Sequence, residues 1–114
     1  MFTSIGADNF DSEILSEKRP VLLAYIRRDY EYKNQIEILE SVSKEYGDAI
    51  KVCLLDENFT RAYKNLGIEG DPTFIGYYKG NEKGRILGKA DRETLISFVL
   101  RIFDQYLKRL ETRP

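Results

Sequence analysis

The chain contains no histidine and a single cysteine, Cys53. The first absence removes the commonest general base near neutral pH and the commonest imidazole ligand of transition metals. Serine–histidine and cysteine–histidine catalysis are excluded with it. The second absence excludes a disulfide within the chain and points to a reducing cytoplasm as the expected location. A zinc site would have to pair Cys53 with carboxylates, a poor donor set for a structural ion; neither a metal nor a cofactor is expected. An excess of one charge is missing too. Basic and acidic residues nearly balance, and the net charge of -1 offers no long-range field for nucleic acid or an anionic membrane. No stretch approaches the roughly 20 apolar residues of a membrane span. Met1 to Asp11 lacks the basic segment and apolar run of a signal peptide.

What is present reads as one soluble domain covering residues 1–114. Hydrophobic residues make up 42% and charged residues 32%, ordinary for a globular protein with one core. There is no internal repeat and no linker. Asn9 to Ser16 reads as a short helix, with Phe10, Ile14 and Leu15 as its apolar positions and Asp11 or Ser12 as its cap. Val21 to Ile26 is a continuous apolar run, expected as a strand buried on both faces. From Tyr30 to Tyr46 the period lengthens. Tyr32, Ile36, Leu39, Val42 and Tyr46 trace one helix face, and Gly47 stops it.

Ile50 to Leu55 is a second strand, and Phe59 to Leu66 a short helix ended by Gly67. Thr73 to Tyr78 is rich in β-forming residues, and Lys79 to Gly84 is expected as a hairpin loop leading to a strand at Arg85 to Leu87. Asp91 is a good N-cap for a final helix. Its apolar stripe, Leu95, Phe98, Val99, Ile102, Phe103, Tyr106 and Leu110, predicts one continuous helix to about residue 111. The fold class is α/β, a central mixed sheet with helices on both faces.

This order and its spacings resemble thioredoxin over about residues 9–103. Several segments carry the resemblance: Asn9-Phe10-Asp11 before Pro20-Val21-Leu22-Leu23, Lys33 to Leu39, Leu55-Asp56-Glu57-Asn58, and Gly67 to Thr73. The resemblance implies a thioredoxin fold, a cis-proline at Pro72, and a redox motif at Arg28-Asp29-Tyr30-Glu31-Tyr32. Neither motif cysteine is there. The family's buried aspartate falls at Leu23. The expectation is therefore a protein that is not an enzyme: a redox-inactive thioredoxin-like module for protein interaction, chaperoning or assembly. Its partner is an unidentified protein or peptide, bound neither through nucleic acid nor at a membrane.

The candidate binding surface comprises Arg28, Tyr30, Asp71, Pro72, Thr73 and Gly88. In the family, the backbone before the proline pairs with an extended substrate segment, a role that would fall to Asp71; alternatively, Pro72 only shapes the chain entering a strand. Tyrosine and arginine favour interface hot spots, which suits Tyr30 and Arg28. Asp29 reads best as an N-cap, Glu31 as a first-turn acid, and Tyr32 as turned toward the core. Asp29 and Glu31 are also a close acidic pair, but Arg27, Arg28 and Lys33 should keep both ionised, which argues against a hydrolase. Gly84 to Lys89 has three residues between its glycines, not the four of a phosphate loop. Two alternatives remain open. Cys53 would serve a monothiol redox protein, although its apolar strand suits a small buried hydrophobe. The C-terminal stripe either packs on its own domain or drives homodimerisation.

Overall fold

Val21, Leu22, Leu23 and Ala24 all lie away from water, and a strand buried on both faces belongs at the centre of a covered sheet. In the computed structural model, which describes residues 2–28, 31–68 and 72–111, that strand is β2 (Val21–Tyr25). It pairs in parallel with β3 (Lys51–Leu55) and antiparallel with β4 (Thr73–Tyr78). β5 (Asn81–Leu87) continues antiparallel beyond β4. On the other side, β1 (Thr3–Ile5) lies parallel to β3, giving the mixed order β1-β3-β2-β4-β5. β1 is an addition to the sequence reading. It is three residues long and buries only Ile5, too little to announce itself by periodicity.

Alternation along the strands sorts the core into two layers. On one face Leu22, Ala24, Val52 and Phe74 meet α1 (Tyr32–Tyr46) and α3 (Arg92–Ile102) through Leu39, Val42, Leu95, Phe98 and Val99. On the other, Val21, Leu23, Cys53, Ile75 and Tyr77 meet Ile14 of a short helical segment, together with Phe59, Leu66 and Ile68, which flank α2 (Thr60–Asn65). Helices cover both faces, as the pattern of elements implied.

Four local expectations change. The first segment is a single wide turn over Asp11–Leu15, closed by the Ser16 N–H donating to the Asp11 carbonyl at 2.9 Å. Neither Asp11 nor Ser12 caps it. Asn9 organises the approach instead, accepting from the Gly6 N–H at 2.8 Å and donating to the Ser4 carbonyl at 2.9 Å. α1 starts at Tyr32, later than Tyr30, with Glu31 at its boundary making no side-chain cap bond. The hairpin loop is two residues, not six. Lys79 and Gly80 take φ of 52° and 80°, the paired left-handed geometry of a tight turn whose twist matches its strands. The surplus is absorbed inside β5. Tyr77 faces Glu82 and Gly76 faces Gly84, which leaves Lys83 as a bulge.

The last change is at the C-terminus, where the expected continuous helix is two. α3 begins under a working cap, with Asp91 Oδ1 accepting from the Thr94 N–H at 2.8 Å. It ends at Ile102, and α4 (Asp104–Glu111) follows after Phe103. Phe103 is 3% exposed; anchoring it in the core turns the chain, so that the Tyr106 ring comes within 5.5 Å of the Tyr78 ring. Ile102 and Leu107 also pack against the main core. The stripe therefore closes largely on its own domain as far as Leu107. The Leu110 side chain and Arg113 lie outside the described residues.

Candidate functional site

The parallel strands β2 and β3 end together at Tyr25 and Leu55, beside the start of β4 at Thr73. Loops gather at this end, where open α/β sheets bind their ligands. Arg28, Glu31, Tyr32, Pro72, Thr73 and Gly88 all come to it. Thr73 faces Tyr25 on one side and Leu87 on the other. The Gly88 N–H donates to the Pro72 carbonyl at 2.7 Å, and Gly88 takes a φ of 91°, a conformation that suits glycine. Pro72 and Thr73 are buried. Asp29, Tyr30 and Asp71 lie outside the described residues, and with Asp71 goes the Asp71–Pro72 peptide bond.

Both flanks of the motif-equivalent loop are tied down. The Arg28 guanidinium lies 4.9 Å from the centre of the Tyr32 ring, a cation–π contact, and its Nε is 3.5 Å from a Glu57 carboxylate oxygen. On the opposite flank, Glu31 pairs with Lys89 at 3.3 Å. Arg28 thus reaches the loop after β3, while Glu31 reaches the loop after β5. Each exposed pair is worth at most about 1 kcal/mol. One turn further along α1, Gln35 is buried and its amide brackets Ala90, donating to the carbonyl at 3.4 Å and accepting from the N–H at 3.5 Å.

Glu57, Lys89 and Gln35 were not among the expected site residues. Gln35 carried a legible signal, lying four and seven residues before the core positions Leu39 and Val42. Glu57 and Lys89 are polar loop residues whose neighbours are set only by the tertiary fold.

Between Arg28, Tyr32 and the loop after β3 is a cleft of about 270 Å³, lined also by Ile26, Asp56 and Glu57. Among its described residues there is no thiol and no cluster of metal-ligating side chains. Leu23 sits beside Cys53 in the strand register, and both are sealed from water. Burial pushes the Cys53 thiol up to about 12, far from the depressed range of a reactive cysteine.

A second set of contacts ties β5 to the end of α2. Arg85 on β5 donates to the carbonyls of Leu66 and Gly67 at 2.8 and 3.1 Å and holds the Glu82 carboxylate with two bonds. The carbonyls just past the end of α2 are thereby satisfied by a cation.

A curated protein similar to this chain supports the same architecture. It is a thioredoxin domain-containing protein of Acanthamoeba polyphaga mimivirus, 29% identical over 70 residues. The match covers 58% of this chain and 20% of the viral protein, so the chain spans about a fifth of that relative's length. No protein-family model matches. The domain has the thioredoxin fold. Within that fold, the loop after β2 is where the redox motif is expected, and here one cysteine in the whole sequence precludes a pair. None of the described helices is long and apolar enough to cross a membrane.

Proposed function

We propose that this protein is a redox-inactive thioredoxin-like module that binds another polypeptide through the end of the sheet bearing Arg28, Tyr30, Asp71, Pro72, Thr73 and Gly88, and that it is not an enzyme. One observation carries the reading. The only thiol is buried in β3, whereas the place of the redox motif is occupied by Arg28 stacked on Tyr32 and by Glu31 paired to Lys89. Scaffold is kept and the nucleophile is gone. An arginine–tyrosine surface beside a strand start suits recognition of an extended segment.

The monothiol alternative has little support, because a thiol that is sealed and held up to about 12 is a poor nucleophile at neutral pH. Homo-oligomerisation through the C-terminal helix also has less support, because Ile102, Phe103 and Leu107 already pack on their own core. A photo-crosslinking residue at Tyr30, with a matched probe at the exposed Glu40 on α1, tests the proposal. A discrete protein trapped by the first probe alone, with affinity lowered by Tyr30→Ala or Asp71→Ala, supports it. A partner whose affinity ignores both substitutions overturns it. The cytoplasm remains the expected location.

A further inference from the structure

Three irregularities meet at the other end of the sheet, away from the motif-equivalent loop. The bulge in β5 makes Lys83 the extra residue, and bulges commonly re-aim side chains beside functional sites. The facing glycines Gly76 and Gly84 let the Ile102 side chain settle onto the strands. The helix break at Phe103 brings Tyr106 back to Tyr78. Together they enclose a recess of about 430 Å³ walled by Tyr78, Lys83, Arg101, Ile102, Phe103 and Tyr106. α4 lies beyond the segment that resembles the family.

The recess has a consistent chemistry. Its lining mixes the apolar and aromatic side chains of Tyr78, Ile102, Phe103 and Tyr106 with polar ones. Its rim carries Lys83 and Arg101, and the neighbouring Lys79 ammonium lies 5.4 Å from the Tyr78 ring centre. Among the described residues none of these three cations has a carboxylate within ion-pair distance. The acid on the wall, Asp104, is matched by Lys108 at 3.2 Å. Elsewhere Arg19, Arg28, Lys51, Arg85, Lys89 and Arg92 each face a carboxylate. Exposed lysines without a carboxylate partner occur elsewhere among the described residues as well, Lys33 and Lys44 among them, and the Arg101 guanidinium lies 5.7 Å from the Phe98 ring centre; what distinguishes this group is that Lys83 and Arg101 line one recess with Lys79 beside it.

We propose that this recess binds a phosphate monoester carried on an aromatic body. A carboxylate is matched by one cation, whereas a phosphate monoester carries about -1.5 to -2 charges and three acceptor oxygens, which suits a rim of several cations. A flat ring suits the Ile102 side chain and the tyrosine rings of the lining, and the volume accepts a ligand of that size. The phosphate-bearing ring belongs either to a free small molecule or to a phosphotyrosyl side chain. This site is independent of the partner surface proposed above.

Phenyl phosphate is the probe, titrated into the whole chain and followed by backbone amide shifts, with phenol, benzoate and inorganic phosphate as comparisons. Saturable binding is expected, with shifts centred on Gly84, Ile102 and Tyr106, and with each comparison compound at least about tenfold weaker. Lys83→Ala and Arg101→Ala are each expected to weaken phenyl phosphate by about tenfold, while Lys33→Ala at the other end of the molecule leaves it unchanged. All three side chains are exposed, and circular dichroism confirms folding of the variants. A phosphotyrosyl peptide then separates the sources. Tighter binding than phenyl phosphate, still dependent on Lys83, identifies a protein-borne ligand; weaker binding identifies a free one. Absence of saturable binding, equal loss in Lys33→Ala, or shifts centred elsewhere overturns the proposal.

Discussion

The side chain of Ile102 occupies the space that a Cβ on Gly76 would need. Such an atom would lie 2.1 Å from Ile102 Cδ1 and 3.1 Å from Phe103 Cζ. Across the strand pair, a Cβ on Gly84 would meet Ile102 Cγ2 at 3.2 Å. Two glycines in register therefore make a flat bed for the end of α3. Gly76→Ala is expected to destabilise the protein by about 1–3 kcal/mol through overpacking. Adding Ile102→Val removes the nearest atom and should recover part of the loss, a coupling that urea denaturation of the four-member cycle measures. Strictly additive effects would show that the seat is not tight.

Gln35 presents a different kind of constraint. Its amide spans the N–H and carbonyl of Ala90, both at a buried position between α1 and the start of α3. Gln35→Ala leaves those backbone groups without a partner, at an expected cost of about 1–3 kcal/mol. Gln35→Met keeps the volume but not the bonds and should be nearly as costly. A Met variant as stable as the parent would show that packing, not hydrogen bonding, is the contribution.

Much of the architecture was legible because burial and periodicity reinforce each other. Val21 to Ala24 reads as central strand on composition alone, and Leu39 with Val42 fixes the inner face of α1. The failures have physical causes. β1 is paired by backbone bonds and buries one side chain, so nothing periodic betrays it. The break at Phe103 is invisible because Ile102, Phe103 and Tyr106 continue an apolar stripe whether the helix runs straight or turns; only the tertiary anchor of Phe103 decides. At the candidate site, the sequence pointed to Pro72 and Gly88, with Pro72 read either as part of a binding surface or as shaping the chain entering a strand. Their link through a hydrogen bond, and the ion pairs of Arg28 with Glu57 and Glu31 with Lys89, join loops far apart in sequence and have no local signature.

Acid stability should hinge in part on Glu17. Its carboxylate accepts from the Arg19 side chain through both oxygens and from the Arg19 N–H, and it lies 3.4 Å from Lys51 Nζ. The Arg19 side-chain bond is the chief cause holding it down to about 2, against 4.5 ordinarily. A carboxyl depressed in the folded state contributes stability above its unfolded value and loses it as pH falls through the folded one. Glu17→Gln should cost about 1 kcal/mol at pH 7, since Arg19 stays partly exposed. That difference should shrink between pH 4.5 and 2. Denaturation curves of both proteins across this window check it, and a gap that stays constant with pH would assign the effect to packing.

Cys53 decides between a binding module and a thiol enzyme. The side chain is fully buried, its register neighbours are Thr3 and Leu23, and desolvation is the chief reason the thiol is pushed up to about 12 from 9.0. At pH 8 the native protein should resist a small alkylating reagent and be labelled at the rate of global opening, whereas the denatured chain is labelled at once. The linkage runs opposite to that of Glu17. The unfolded thiol ionises first as pH rises, so the folded state loses stability from about pH 9 upward, and Cys53→Ala should lose less over that range than the parent. Rapid stoichiometric labelling of the native protein at pH 8 would require an accessible thiolate, and the monothiol reading would then displace the binding module.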